Sequence, residues 1–296
     1  MLSLIPMTPR PISGLSDIIE GYDALLVDLW GCVVDGIVAF PSALDCLRRL
    51  RASGRTVIFV TNVPRPGGVV RARLGELGVE PDCYDGLVTS GDATIDALNS
   101  RDDPWHAAFG DRFYHIGSNR NEELIDQIRG SEAAIGEADY ILTTGFRSRS
   151  GETPEIYRPI FAQALARRLP MVCANPDQAS AHGDKIVYRA GAVAQAYLDQ
   201  GGDVRFHGKP HERIYRMAFD LIGRADRRRV LMIGDNLATD VLGAQSAGID
   251  ALWIAGGLHA DEIGLADDGP LDLQKASGLL AASGHAPVAV AARLCW

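Results

Sequence analysis

The chain alternates short runs that are apolar on both faces with segments of helical periodicity, and this alternation constrains the fold more than any other feature. "ALLVDL" (24–29) precedes "PSALDCLRRLRASG" (41–54), and "RTVIFVTN" (55–62) precedes "GGVVRARLGELG" (67–78). Later, "RRVLMIGD" (228–235) is followed by "ATDVLGAQSAG" (238–248) and "IDALWIAGG" (249–257). A strand with no polar face has to be covered on both sides, and strands joined through helices pair in parallel. The expected fold is therefore α/β, a doubly wound parallel sheet. Ligands of such sheets sit beyond the carboxyl ends of the strands. Three of these runs end there in polar residues: Asp28, Thr61 with Asn62, and Asp235.

A second alternation occupies the middle of the chain. "DRFYHIGS" (111–118), "ADYILTTG" (138–145) and "PMVCANPD" (170–177) are each followed by a helical pattern, near 120–129, 154–168 and 191–200. At roughly 110 residues this stretch is long enough for a domain of its own. The expected organisation is a discontinuous first domain at 1–90 and 204–296, with an α/β unit inserted at 91–203. From about residue 257 the tail reads as one more helix and strand.

The length of 296 residues favours two domains. Hydrophobic residues at 47% argue against disorder, and the net charge of −9 argues against nucleic acid as a partner. The four arginines between Arg224 and Arg229 read as solvated charge at a helix end. Five scattered cysteines without a CxxC pair point to a reduced, cytoplasmic protein lacking structural zinc. Prolines interrupt the first fourteen residues, which disfavours a signal peptide, and no run approaches the 18 apolar residues of a membrane helix.

A strand-end carboxylate followed by a glycine turn can attack phosphorus if a divalent cation offsets the repulsion between two anions. Asp28 suits that role, and Asp235 is the natural second ligand for magnesium, which takes oxygen donors. Thr61 and Asn62 could donate hydrogen bonds to phosphoryl oxygens, and Lys209 in "HGKPH" could supply positive charge from a turn whose Pro210 starts a helix. Each residue alone also has a bland reading as a turn or cap; the ordered set is the signal.

That set resembles the haloacid dehalogenase superfamily of phosphotransferases: "VDLWG", "VTN", Lys209 in "GKP" and "GDNLATD" stand for its four motifs, in order. The insertion, with "NPD" at 175–177, resembles the α/β cap of class II, subclass A, whose members include phosphatases of sugar, nucleotide, glycerol and pyridoxal phosphates. "DLWG", "TNVPRP" and the terminal "LCW" are similar to a little-characterised bacterial branch of that subclass. The resemblance implies a magnesium-dependent hydrolase of a small phosphorylated metabolite acting through an aspartyl-phosphate on Asp28. It implies Asp28, Asp235 and the backbone carbonyl of Trp30 as metal ligands, with Asp240 supporting the metal shell. Thr61 and Lys209 would hold phosphoryl oxygens. Asn62, Arg65, Asn175 and Asp177 are the candidate substrate-binding residues, and caps of this subclass often pair, so that a homodimer through the cap is an option.

Trp30 departs from the pattern. In phosphatases of this superfamily the residue two after the nucleophile is an aspartate that protonates the leaving oxygen and later activates water. Indole does neither, and general acid–base help is worth roughly 100- to 10,000-fold, or about 3 to 5 kcal/mol of barrier. Three readings follow: another group supplies the proton, the substrate has a leaving group that needs little protonation, or the protein binds a phosphorylated metabolite with little catalysis. Trp30 would then be an aromatic wall, or simply pack against the cap. Asp35, the nearest carboxylate, reads as a turn residue before Gly36. "GGDVRFHGKP" is not a phosphate-binding P-loop, since five residues separate Gly202 from Gly208 and Pro210 stands where a hydroxyl is needed. His207 and His211 read as structural, Cys32 as a buried small hydrophobe, and Arg147 and Arg149 as solvent-facing unless one reaches the site and selects acidic substrates.

Overall fold

The structure is a computed structural model; it describes residues 10–148, 152–182, 185–266 and 269–296. In chain order its strands are β1 (Arg10–Pro11), β2 (Ala24–Val27), β3 (Thr56–Thr61), β4 (Gly86–Thr89), β5 (Arg112–Ile116), β6 (Ser131–Glu132) and β7 (Tyr140–Thr143). There follow β8 (Met171–Cys173), β9 (Ala179–His182), β10 (Lys185–Tyr188), β11 (Val204–Phe206), β12 (Val230–Gly234), β13 (Asp250–Ile254) and β14 (Ala289–Ala291). Among the described residues they form a seven-stranded sheet ordered β1-β14-β13-β12-β2-β3-β4, a five-stranded sheet ordered β11-β8-β7-β5-β6, and the hairpin β9/β10. Pairing within each of the two larger sheets is parallel throughout.

The seven-stranded sheet is covered on both faces, as its sequence requires. In β2 every residue is buried, with Leu25 and Val27 in one apolar cluster and Ala24 and Leu26 in the other. The first cluster gathers Ala43, Cys46, Leu47 and Leu50 from the helix Pro41–Ala52, which Pro41 opens at its first turn. The second gathers Ile214, Tyr215 and Ala218 from the helix Glu212–Ile222. Because β2 has β3 on one side and the late strand β12 on the other, the strand order reverses there, and Asp28 leaves the sheet at that switch point.

Three details differ from the sequence reading. The helix near 120–129 shrinks to a turn at Asn119–Asn121 and one helical turn at Glu122–Ile125. Asn99 explains this: its amide donates to the Gln127 carbonyl and accepts from the Arg129 N–H, drawing the backbone off its helical path. The five-stranded sheet runs to Phe206, past the expected boundary at 203, because Val204–Phe206 pairs with Met171–Cys173. Pro210 does not open the next helix. The His211 N–H closes a turn onto the Gly208 carbonyl, and the helix begins at Glu212.

The two crossings between the sheets meet at a buried pair of histidines. Asp103 caps the turn Pro104–Ala107 and holds His106 Nδ1 at 2.5 Å, and His106 Nε2 lies 3.1 Å from His207 Nε2. Arg213 stands beside them, paired with Asp96 and Asp102, and His211 stacks on Phe206. Burial holds the pKa of His207 well below the usual histidine value and lowers that of His106 despite Asp103. The unfolded chain, with His207 near its ordinary value of about 6.5, takes up the proton first as pH falls, so stability is lost on acidification. Urea denaturation at pH 7.5 and pH 5.5 should show wild type losing on the order of 1 kcal/mol more than His207→Asn. Parallel pH dependence of the two would show that this pair does not set it.

Candidate active site

Asp28 follows β2 directly, and its N–H donates to the Ile233 carbonyl of β12, 2.8 Å away. The chain then turns sharply through Gly31, whose φ of +82° is left-handed. A side chain is excluded there for a second reason: a Cβ on Gly31 would lie 2.0 Å from Asp235 Oδ2, and one on Gly257 2.2 Å from the same atom. Backbone thus approaches Asp235 from two sides, as glycine alone permits. Asp235 Oδ2 accepts from the Leu258 N–H at 2.7 Å, and the Asp235 carbonyl from the indole of Trp253 at 2.9 Å.

Lys209 ties the strand ends together. Only 2% exposed, it places Nζ 2.6 Å from Asp28 Oδ1 and 2.6 Å from Asp240 Oδ1. Asp240, wholly buried in a π-helical turn (Leu237–Val241), also accepts from the Asn236 N–H at 3.0 Å. Gly234 leaves it room, since a Cβ there would fall 2.1 Å from Asp240 Cγ. Asn62 holds the Lys209 backbone at both ends: Oδ1 accepts from the Lys209 N–H (2.7 Å), and Nδ2 donates to its carbonyl (3.0 Å). Thr61, 2% exposed, ends β3 on the wall of the same cavity.

The electrostatics are unbalanced. Burial raises the pKa of Asp28, with Lys209 opposing; burial, Asp28 and Asp240 together push Asp235 well up. Burial works against the Lys209 ammonium, but Asp240 and Asp28 outweigh it and its pKa rises. Asp28, Asp235 and Asp240 thus face a single ammonium, and the excess negative charge is what a divalent cation would balance. The donors fit magnesium, because the carboxylates of Asp28 and Asp235 offer oxygen atoms within 4.8 Å of each other. The third group within that distance is the Cys32 thiol, which burial and the neighbouring carboxylates keep protonated.

Asp28, Trp30, Thr61, Asn62, Arg65, Asn175, Asp177, Lys209, Asp235 and Asp240 all line one cavity of about 810 Å³ between the two sheets. Trp30 is half-buried, and its packing is onto the first cluster of the large sheet. Arg65 is engaged across the cavity, donating to Glu123 at 2.7 Å. Asn175 accepts from the Asp177 N–H at 2.9 Å and shapes that turn, while Asp177 Oδ1 accepts from Asn62 Nδ2 at 2.8 Å. Asp35 Oδ1 accepts from the Ile37 and Val38 N–H groups, closing its turn. Arg147 is occupied by the Tyr114 hydroxyl, and Arg149 lies outside the described residues. A buried set unmarked in the sequence lies in the inserted unit: Thr144 Oγ1 is 2.8 Å from His115 Nε2 and accepts from Asn121 Nδ2 at 2.7 Å. No motif spacing could have found it, because its members come from three separate segments.

The doubly wound sheet with carboxylates at its switch point defines a protein of the α/β class, and comparison with known proteins gives the family. The haloacid dehalogenase-like hydrolase family matches residues 25–129, and a second family, described as HAD-hydrolase-like, matches residues 206–273. A solved hydrolase of the haloacid dehalogenase-like family from Brucella suis 1330 is 37% identical, with a TM-score of 0.82 over 96% of this chain and 99% of that one. Ribonucleotide monophosphatase NagD of Escherichia coli K12 is 26% identical over 237 residues, 77% of this chain and 88% of the relative. D-glycerol 3-phosphate phosphatase of Mycobacterium tuberculosis is 28% identical over 254 residues, 83% and 66% of the two chains. The chain belongs to the haloacid dehalogenase-like hydrolases, among their capped phosphatases. Among the described residues no helix is long and apolar enough to cross a membrane.

Asn62 is the residue whose loss the geometry makes most costly for stability at the site. Asn62→Ala strands the Lys209 N–H and carbonyl and the Asp177 carboxylate in partly or fully buried positions, at about 1–3 kcal/mol for each group left unsatisfied. Chemical denaturation should show a loss of at least about 2 kcal/mol. A change below 0.5 kcal/mol would mean the clamp is dispensable.

Proposed function

We propose that the chain hydrolyses a small phosphorylated metabolite, with magnesium as cofactor and Asp28 as the nucleophile. The carrying observation is the buried Lys209 bridging Asp28 and Asp240 beside Asp235, at the sheet's switch point. Asp28, Asp235 and the Trp30 carbonyl would hold the metal, which when bound neutralises the facing anions and favours attack on phosphorus. Asp28 attacks phosphorus, the ester P–O bond breaks, and the aspartyl-phosphate is then hydrolysed by water to free Asp28 and inorganic phosphate. Lys209 and Thr61 hold the phosphoryl oxygens through that exchange, and Asp240 fixes the ammonium in place.

The inserted unit acts in this reading as a cap that excludes water and selects the leaving group through its Asn175 and Asp177, with Arg65 contributing from the facing layer. The named activities of the relatives, on ribonucleotides and on glycerol 3-phosphate, support a small phosphomonoester, and the cavity of about 810 Å³ accommodates one. Five free cysteines, four of them buried, suit a cytoplasmic setting.

The test is hydrolysis of 4-nitrophenyl phosphate and a panel of alkyl phosphates with magnesium, with chelator, and with Asp28→Asn. Chelator should abolish turnover and magnesium restore it, and Asp28→Asn should cost roughly 1,000-fold or more. A rate indifferent to both would overturn the reading.

A further inference from the structure

Position 30 carries an indole where a phosphatase of this mechanism needs a proton donor, so the proton has to come from elsewhere in the cavity. Among the described residues five aspartates line it: Asp28, Asp35, Asp177, Asp235 and Asp240. Four are committed. Asp28 is the nucleophile on Lys209, Asp240 is wholly buried against the same ammonium, Asp235 takes the Leu258 N–H beside Asp28, and Asp35 closes its own turn through two backbone amides.

Asp177 is placed differently. It arrives on the inserted unit, just after β8, and one of its oxygens accepts from Asn62 Nδ2 at 2.8 Å. Asn62 in turn grips the Lys209 backbone, and Lys209 Nζ touches the nucleophile, so a short bonded chain fixes Asp177 relative to Asp28. The side chain lines the cavity, where the charges of Lys209 and Arg189 also act on it. Phosphoryl transfer runs in line, so the leaving oxygen departs on the side opposite the nucleophile. Asp28 rises from the sheet edge, and the inserted unit is what faces it.

We infer that Asp177 is the acid and base that position 30 lacks, an assignment that rests on the phosphatase reading above. As the ester P–O bond breaks, the Asp177 carboxyl gives its proton to the leaving oxygen and the alcohol departs neutral. The resulting carboxylate takes a proton from the water that attacks the aspartyl-phosphate, which restores Asp177 and releases Asp28 and inorganic phosphate. Burial raises the pKa of Asp177, against the Asn62 hydrogen bond and the Lys209 charge, in the direction an acid requires. The arrangement also ties chemistry to closure, since the proton donor is in reach only while the inserted unit sits on Asn62.

Asp177→Asn tests this, because the amide keeps an oxygen for Asn62 and loses only the proton. With magnesium present, turnover of a glycerol phosphate should fall roughly 100-fold or more. On 4-nitrophenyl phosphate, whose phenolate leaves without a proton, the variant should release a rapid burst of nitrophenolate equal to the enzyme concentration, followed by slow turnover. Adding Trp30→Asp to the Asp177→Asn variant should recover at least tenfold of the lost alkyl-phosphate turnover. Equal slowing of the chemical step on both esters, or no slowing on either, would overturn the assignment. If wild type releases nitrophenolate without dependence on Asp28, the phosphatase reading itself falls, a separate outcome.

Discussion

A single ammonium in the interior organises this molecule. Lys209 is almost sealed from water, and an amine so placed keeps its charge only with anionic partners in contact. Asp28 and Asp240 supply them, which fixes the end of β2 against the turn after β12. The backbone that carries Lys209 has just returned from the inserted unit, so Asn62 must meet both its N–H and its carbonyl. Gly234 follows from the same requirement, because backbone there comes too near Asp240 to carry a side chain, and Gly31 and Gly257 make the same room for Asp235. Once the lysine is buried, much of the local sequence is obligatory.

The large sheet was legible because burial on both faces leaves a mark in sequence. "ALLV" has no polar position at all, and such a run permits little except a central parallel strand. Given parallel strands, the grouping of Asp28, Thr61 and Asp235 follows from where strands end. What could not be read is which side chain meets which across the chain crossings. Asn62 and Asp177 are 115 positions apart, and Asn62 and Lys209 are 147 apart. Periodicity reports the face a residue presents to its own layer and carries nothing about such partners. The shortened helix near 120–129 has the same origin: its pattern is adequate, and a side chain from a distant helix, Asn99, redirects it. The contact of Asp240 with Lys209 belongs to the same group, since it joins two segments that no periodicity relates.

Labour is divided between the two layers. Asp28, Asp235 and Asp240 stand on the large sheet and its turns, Lys209 on the segment returning from the inserted unit, and Asp177 and Glu123 of that unit bond to Asn62 and Arg65. Trp30 belongs to the first of these layers, since its ring packs onto the large sheet.

The strand order also bears on how the chain is made. β2 and β12 lie side by side, yet more than 200 positions separate them. Synthesis delivers Asp28 and Thr61 first, then the whole inserted unit, and only afterwards Lys209, β12 and Asp240. The inserted unit has its own apolar clusters, drawn from residues between Ile95 and Phe206, and can collapse as it emerges. β2 must meanwhile wait with one edge unpaired and its residues among the most apolar in the chain. A nascent chain at that stage exposes a sticky strand edge. The interval before Val230–Gly234 leaves the ribosome is therefore the period in which this protein is most exposed to aggregation and has most need of a chaperone.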